Sequence, residues 1–231
     1  IKSGEVEDGL SRIRKYLDVL NCHDEFARIL IRLERFSEAE SVLKEAMKNT
    51  KIGKQWIYPL LSIVYEKLND LEKLKNNLIE QFYFFPELCI YKRLKVMNLE
   101  NWEEERSRML NYLDNQNYHH VLREIYILED KLLDAFNVVK KYEAGADTLK
   151  NLAKALVETN PDEAIWCYNK IVECQIEGGS RYYSAAAYYV RMIGSIYKSA
   201  GRHDKFDKYL TALRETYDRK YRLIEKLSRI K

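Results

Sequence analysis

The feature that most constrains this chain is a helix opening that recurs six times: a polar residue, then an apolar residue, proline or histidine, then acids or short side chains leading into an apolar stripe. The copies are Arg35-Phe36-Ser37-Glu38-Ala39, Asp70-Leu71-Glu72, Asn101-Trp102-Glu103-Glu104, Lys131-Leu132-Leu133-Asp134-Ala135, Asn160-Pro161-Asp162-Glu163-Ala164 and Arg202-His203-Asp204-Lys205-Phe206. From Phe36 through Leu71, Trp102, Leu132 and Pro161 to His203 the steps are 35, 31, 30, 29 and 42 residues. Steps of that size belong to helix-turn-helix repeats that stack into a solenoid, because one hairpin cannot bury its apolar face without a neighbour. The expected fold is all-α: a right-handed solenoid of antiparallel, tetratricopeptide-like helix pairs. It is expected to form one helical-repeat domain over residues 1–231, with N-terminal repeats in 1–159 and specialised repeats in 160–231.

The stripes support this reading. Phe36, Ala39, Val42, Leu43, Ala46 and Met47 recur at helical spacing, as do Leu71, Leu74, Leu78 and Phe82, and Leu132, Ala135, Phe136, Val139 and Tyr142. Partner helices are expected over 22–33, 55–68, 87–97, 118–128, 148–157 and 181–200, with a terminal helix over 7–20. Asn69-Asp70 is placed to cap a helix, and Asn160-Pro161-Asp162-Glu163 to form a capping box with proline at the first helical position. Ala39, Ala135 and Ala164 share one repeat position, where a short side chain admits a neighbouring backbone. Prolines stand only at Pro59, Pro86 and Pro161, too few to punctuate a sheet protein.

After Gly201, expected to end the 181–200 helix, a last helix is expected to run nearly to Lys231, about 30 residues and ~45 Å long. Its Ile224 and Leu227 lie beyond the reach of one partner helix. They are read as a cap along the solenoid end or as a seam for self-association.

Charge excludes some partners. With 39 basic and 36 acidic side chains the net charge is +3, which supplies no global attraction to nucleic acid or anionic membrane. No apolar run is long enough to span a bilayer and no signal layout opens the sequence, so a soluble, cytoplasmic protein is expected. Cys22, Cys89, Cys167 and Cys174 lack metal-ligand spacing and read as reduced core thiols. The first residue, Ile1, suggests a piece of a longer protein.

No nucleophile elbow or phosphate loop is present, so neither an enzyme nor a cofactor is expected. Adjacent His119 and His120 diverge by about 100° on a helix, which argues against a metal site. Glu103, Glu104 and Glu105 complement a helix dipole, and Trp56, Trp102 and Trp166 read as packing residues. Residues 202–231 hold ten basic against five acidic side chains. The function expected is therefore a protein-interaction scaffold whose concave face and last helix meet a protein or peptide, through Arg181, Arg191, Arg214, Arg219, Lys220 and Arg222. The alternative is a nucleic-acid-associated module using the basic C-terminal helix, with interleaved Tyr209, Tyr217 and Tyr221.

Arg181-Tyr182-Tyr183, Ala185-Ala186, the stretch from Tyr197 to Gly201, Tyr209-Leu210, Leu213-Arg214, Tyr217, Lys220 and Leu223 together resemble the C-terminal helical-repeat region of SWIM zinc-finger proteins. The resemblance implies a regulatory or assembly role. The Cys-x-Cys and Cys-x-His zinc pairs of that family have no counterpart here, so its zinc function is not carried over.

Overall fold

The computed structural model describes residues 3–20, 22–49, 53–97 and 99–230, and among these no strand occurs. Two compact units are present, residues 1–121 and 122–231. In the first lie α1 (Ser3–Lys15), α2 (Leu17–Leu20), α3 (His23–Arg32), α4 (Phe36–Asn49), α5 (Lys54–Lys67), α6 (Leu71–Phe84), α7 (Leu88–Val96), α8 (Trp102–Asn115) and the start of α9 (His119–Leu128). The second continues with α10 (Leu132–Tyr142), α11 (Ala146–Leu156), α12 (Pro161–Glu177), a 3-10 turn (Ser180–Tyr182), α13 (Tyr183–Ser199), α14 (His203–Thr216) and α15 (Tyr221–Ser228). All six predicted openings begin a helix at the residue the pattern marks. The predicted terminal helix over 7–20 is instead two pieces, α1 and α2, separated at Tyr16.

Four of these openings share a backbone device. The residue two places before the helix takes a left-handed conformation: Glu34 (φ 59°), Asn69 (φ 55°), Asp130 (φ 58°) and Gly201 (φ 68°). The next N–H then reaches back to the preceding helix, from Arg35 to the Leu30 carbonyl, Asp70 to Tyr65, Lys131 to Tyr126 and Arg202 to Tyr197, all at 2.8–2.9 Å. This is the Schellman arrangement, which satisfies carbonyls that a helix end leaves orphaned and turns the chain back on itself. A fifth copy, with Asn117 at φ 63°, joins α8 to α9.

In the first unit α3 packs on α4, α4 on α5 and α5 on α6, while α3 also meets α5. Ala39 is fully buried, as its repeat position requires. Asn77 of α6, buried, donates to the Tyr58 carbonyl and the Ser62 hydroxyl of α5, both at 2.9 Å, so the pair carries a satisfied polar bond in its seam. In the second unit α12 lies between α11 and α13, and one apolar cluster runs from Ala135 to Ile230. Ala135 and Ala164 are fully buried within it. The capping box at Asn160 does not form: Pro161 opens α12, but the Asn160 side chain makes no capping bond, and Asp162 instead accepts from Arg202 at 2.5 Å.

The long final helix is corrected. The chain breaks at residues 217–220, and α15 contacts both α13 and α14. Leu223 and Leu227 become fully inaccessible and Ile230 is buried. Each such side chain contributes roughly 1.5–3 kcal/mol when taken from water. A straight helix would keep three or four more hydrogen bonds, each worth about 1 kcal/mol net. Burial of three large side chains outweighs them, so the helix breaks and folds back. The same contact uses Leu227 inside the unit, which agrees with the capping alternative and leaves this side chain out of a self-association seam.

Candidate functional site

The second unit presents a face whose composition is unlike the rest of the surface. From Gly178 to Gly201 there is no Asp or Glu, against Arg181, Arg191 and Lys198. Along α13 the residues Ser184, Tyr188, Arg191, Ser195 and Lys198 are all exposed and follow one another at steps of four and three, so they form a single solvent-facing stripe. Tyr188 is 50% exposed. The opposite side of the helix, with Ala186, Ala187, Val190, Ile193 and Ile196, is buried in the apolar cluster. The stripe is polar because the core has claimed every other face.

Most other exposed faces pair their charges within a helix: Arg12 with Asp8, Lys44 with Glu40, Arg108 with Glu104, Lys170 with Glu173. Of the helices, α7 and α13 contain no acid, and Arg93 of α7 is paired with Glu66 of α5. Among the described residues no acidic side chain pairs with Arg191. The Ser195 hydroxyl donates to the Arg191 carbonyl at 3.1 Å and the Ser199 hydroxyl to the Ser195 carbonyl at 2.9 Å, so both serines turn lone pairs outward.

The lower end of the stripe opens into a cleft of about 230 Å³ lined by Arg191, Gly194, Ser195, Lys198, Phe206, Arg229 and Ile230. Gly194 shapes its floor. A Cβ there would come within 2.7 Å of the Phe206 ring, so only glycine lets α14 approach this closely. Arg229, held to Glu225 at 2.6 Å, reaches the cleft because α15 folds back.

The six residues predicted from sequence separate into different roles. Arg181 lies over the Tyr182 ring, 4.6 Å from its centre, and Arg191 stands on the stripe. Arg214 is half-buried and donates to the Leu227 carbonyl at 2.7 Å, closing the last turn of α15, so its position serves the fold. Arg219 and Arg222 are exposed on either side of Lys220, which precedes α15. Sequence reasoning missed Lys198 and Arg229, which share the cleft with Arg191. Lys198 was visible as the last cation of an acid-free stretch, whereas Arg229 depends on the unforeseen turn at 217–220.

Further depressions occur among the described residues. In the first unit one of about 340 Å³ lies among Lys44, Lys48, Leu61, Tyr65, Lys73 and Asn76. There burial pushes the Tyr65 phenol up to about 12. Burial of Glu40 pushes its carboxyl up, but bonds from Lys44 and Lys73 outweigh it and hold the value below the ordinary one. In the second unit one of about 420 Å³ is bounded by Val139, Lys140, Glu143, Gly145, Trp166 and Lys170.

Other sequence candidates resolve as structure. Glu105 is buried and accepts from the Tyr83 hydroxyl at 2.9 Å, so it does more than complement a dipole. Burial, aided by this bond, raises the Tyr83 phenol well above its usual value. Trp102 packs on Tyr91 and Trp166 edge-on against Phe136. His119 lies 3.9 Å from Asp114, while His120 is exposed beside Tyr118. The core-thiol reading holds for Cys167 alone: Cys89 and Cys174 are exposed and Cys22 is half-buried.

No family model matches the sequence, and no curated protein matches it. Among solved structures the chain is similar to the TPR2AB domain of yeast Sti1, determined as a complex with pHSP90, at 15% identity and a TM-score of 0.32, covering 96% of this chain and 92% of that one. It is also similar to BtubC (BKLC) from P. vanneervenii, at 13% identity and a TM-score of 0.29, with 98% and 91% covered. Identities this low say nothing about ligands, so what the Sti1 domain binds is a property of that protein.

Proposed function

We propose that this chain is a non-catalytic helical-repeat scaffold that binds a protein or peptide. The observation that carries this reading is one-sided burial: stacked helix pairs spend their apolar stripes on one another and leave broad helix faces to solvent, as α13 does. Surfaces of that kind recognise extended partners by shape and dispersed polar contacts. Arg181, Arg191, Arg214, Arg219, Lys220 and Arg222 are the proposed contact residues, although Arg214 also donates to the Leu227 carbonyl of α15. A right-handed superhelix acting as one domain over 1–231, a cytoplasmic setting and a place within a larger regulatory or assembly protein belong to the same proposal. A relation to SWIM zinc-finger proteins does too, and zinc-ligand pairs encoded upstream of Ile1 would support it. No described helix is long and apolar enough to cross a membrane.

A peptide-array screen with the intact chain tests the reading. Reproducible binding to a subset of peptides, confirmed in solution, is expected. If the chain ignores every peptide and instead binds single-stranded RNA or DNA with an affinity that falls steeply between 50 and 200 mM salt, as phosphate contacts require, the scaffold reading fails and the nucleic-acid alternative replaces it.

A further inference from the structure

We infer that the acid-free stripe of α13, together with the cleft at its lower end, is the docking surface for an acidic peptide segment. This rests on the scaffold reading and names the chemistry of the partner.

Charge complementarity commits the occupant. Arg191 and Lys198 stand seven residues apart on one face of α13, roughly 10 Å along the axis; Arg181 lies in the 3-10 turn before α13, over the Tyr182 ring. Arg191 presents its guanidinium with no acidic partner among the described residues, and a guanidinium is the group best shaped to hold a carboxylate through two parallel bonds. Arg229, paired with Glu225, also lines the cleft. Between the cations, Ser195 has committed its proton to the Arg191 carbonyl, so its oxygen is left to accept from a peptide N–H. Tyr188, half exposed in the middle of the stripe, supplies an aromatic face for an apolar side chain of the segment. The set therefore offers binding points for carboxylates, for main-chain N–H and for one hydrophobic anchor.

The same geometry disfavours nucleic acid. Affinity for a phosphate chain grows with the number of phosphates neutralised, and the stripe itself carries only Arg191 and Lys198. The helices packed on α13 add Asp162, Glu163, Glu173 and Glu177 from α12, Asp204, Asp207 and Glu215 from α14 and Glu225 from α15, which repel a long continuous polyanion. A short acidic segment meets fewer of these acids than a long polyanion does.

The test uses the intact chain and three fluorescein-labelled probes by anisotropy: an acidic decapeptide of Glu and Asp with one central Leu, a neutral decapeptide with Gln and Asn in place of the acids, and a single-stranded RNA decamer. The acidic probe is expected to bind best. The pair Arg191→Glu with Lys198→Glu should weaken it by about tenfold or more, as reversing two opposed charges at a docking face does. A control pair of equal charge change in the first unit, Lys92→Glu with Lys95→Glu, should change it less than about threefold, because it alters the net charge equally without touching the stripe. Both substituted residues are exposed, and an unchanged melting curve checks the fold.

If the acidic probe binds no better than the neutral one, or if both charge-reversed pairs weaken it equally, the inference is overturned while the scaffold reading stands. Tighter binding of the RNA with a steep salt dependence would overturn both.

Discussion

Glu143 gives the sharpest test of the backbone described here. It ends α10 at φ 58° and ψ 161°, a combination that only glycine adopts without cost, yet its side chain is exposed and packs little. Strain in that region is worth about 1–3 kcal/mol for a residue with a Cβ. Replacing Glu143 by Gly removes the strain but frees the unfolded chain, which takes back about 0.5–1 kcal/mol. The expected net effect of Glu143→Gly is a gain of about 0.5–2 kcal/mol. With a urea slope of about 2 kcal/mol/M, the midpoint rises by roughly 0.2–1 M at constant slope. Glu143→Ala, which keeps the Cβ and the strain, should leave the midpoint nearly unchanged. Equal shifts for Ala and Gly, or a loss of stability for Gly, would refute the argument, because the energy would then reside in the glutamate side chain.

Three further outcomes follow from named contacts. Leu227→Ala, at a fully buried position, should cost about 2–5 kcal/mol in urea unfolding, and a cost under 0.5 kcal/mol would mean that α15 is not folded onto α13. Burial pushes the Cys167 thiol up to about 12, so at pH 8 iodoacetamide should label Cys89 and Cys174 in the native chain and leave Cys167 unmodified until denaturant is added, as peptide mass analysis would show. Asp70 accepts from the Lys73 backbone N–H at 3.1 Å, and this bond holds its carboxyl below the ordinary value. A depressed folded-state value means that the stabilisation is complete above the unfolded carboxylate value near 3.8 and fades as pH falls through the lower folded one. Asp70→Asn should therefore flatten the acid limb of the stability profile, and an unaltered limb would count against the cap.

Much of this architecture is written in local chemistry. Phe36, Leu71, Trp102, Leu132, Pro161 and His203 each begin a helix because an apolar stripe starts there behind a polar residue, and spacing alone reports that. The turns before them are less legible. Gly201 announces a left-handed residue, whereas Glu34 and Asp130 adopt the same conformation under pressure from the helices on either side. The break at 217–220 left no trace, since neither glycine nor proline marks it and the apolar period continues through Leu223 and Leu227. Only the availability of α13 as a packing partner decides that the chain turns. The candidate site shares that limit: Arg191 was nameable from sequence, but its convergence with Arg229, 38 residues later, needs the fold-back.

Occupancy of the α13 stripe decides the proposed site. In a titration of isotope-labelled protein with the acidic decapeptide, followed by amide and side-chain NMR shifts, the largest and saturable changes should fall on Tyr188, Arg191, Ser195 and Lys198, with Arg229 alongside. Shifts centred instead on Lys44, Lys48 and Lys73 of the first unit, with the α13 signals unmoved, would contradict it.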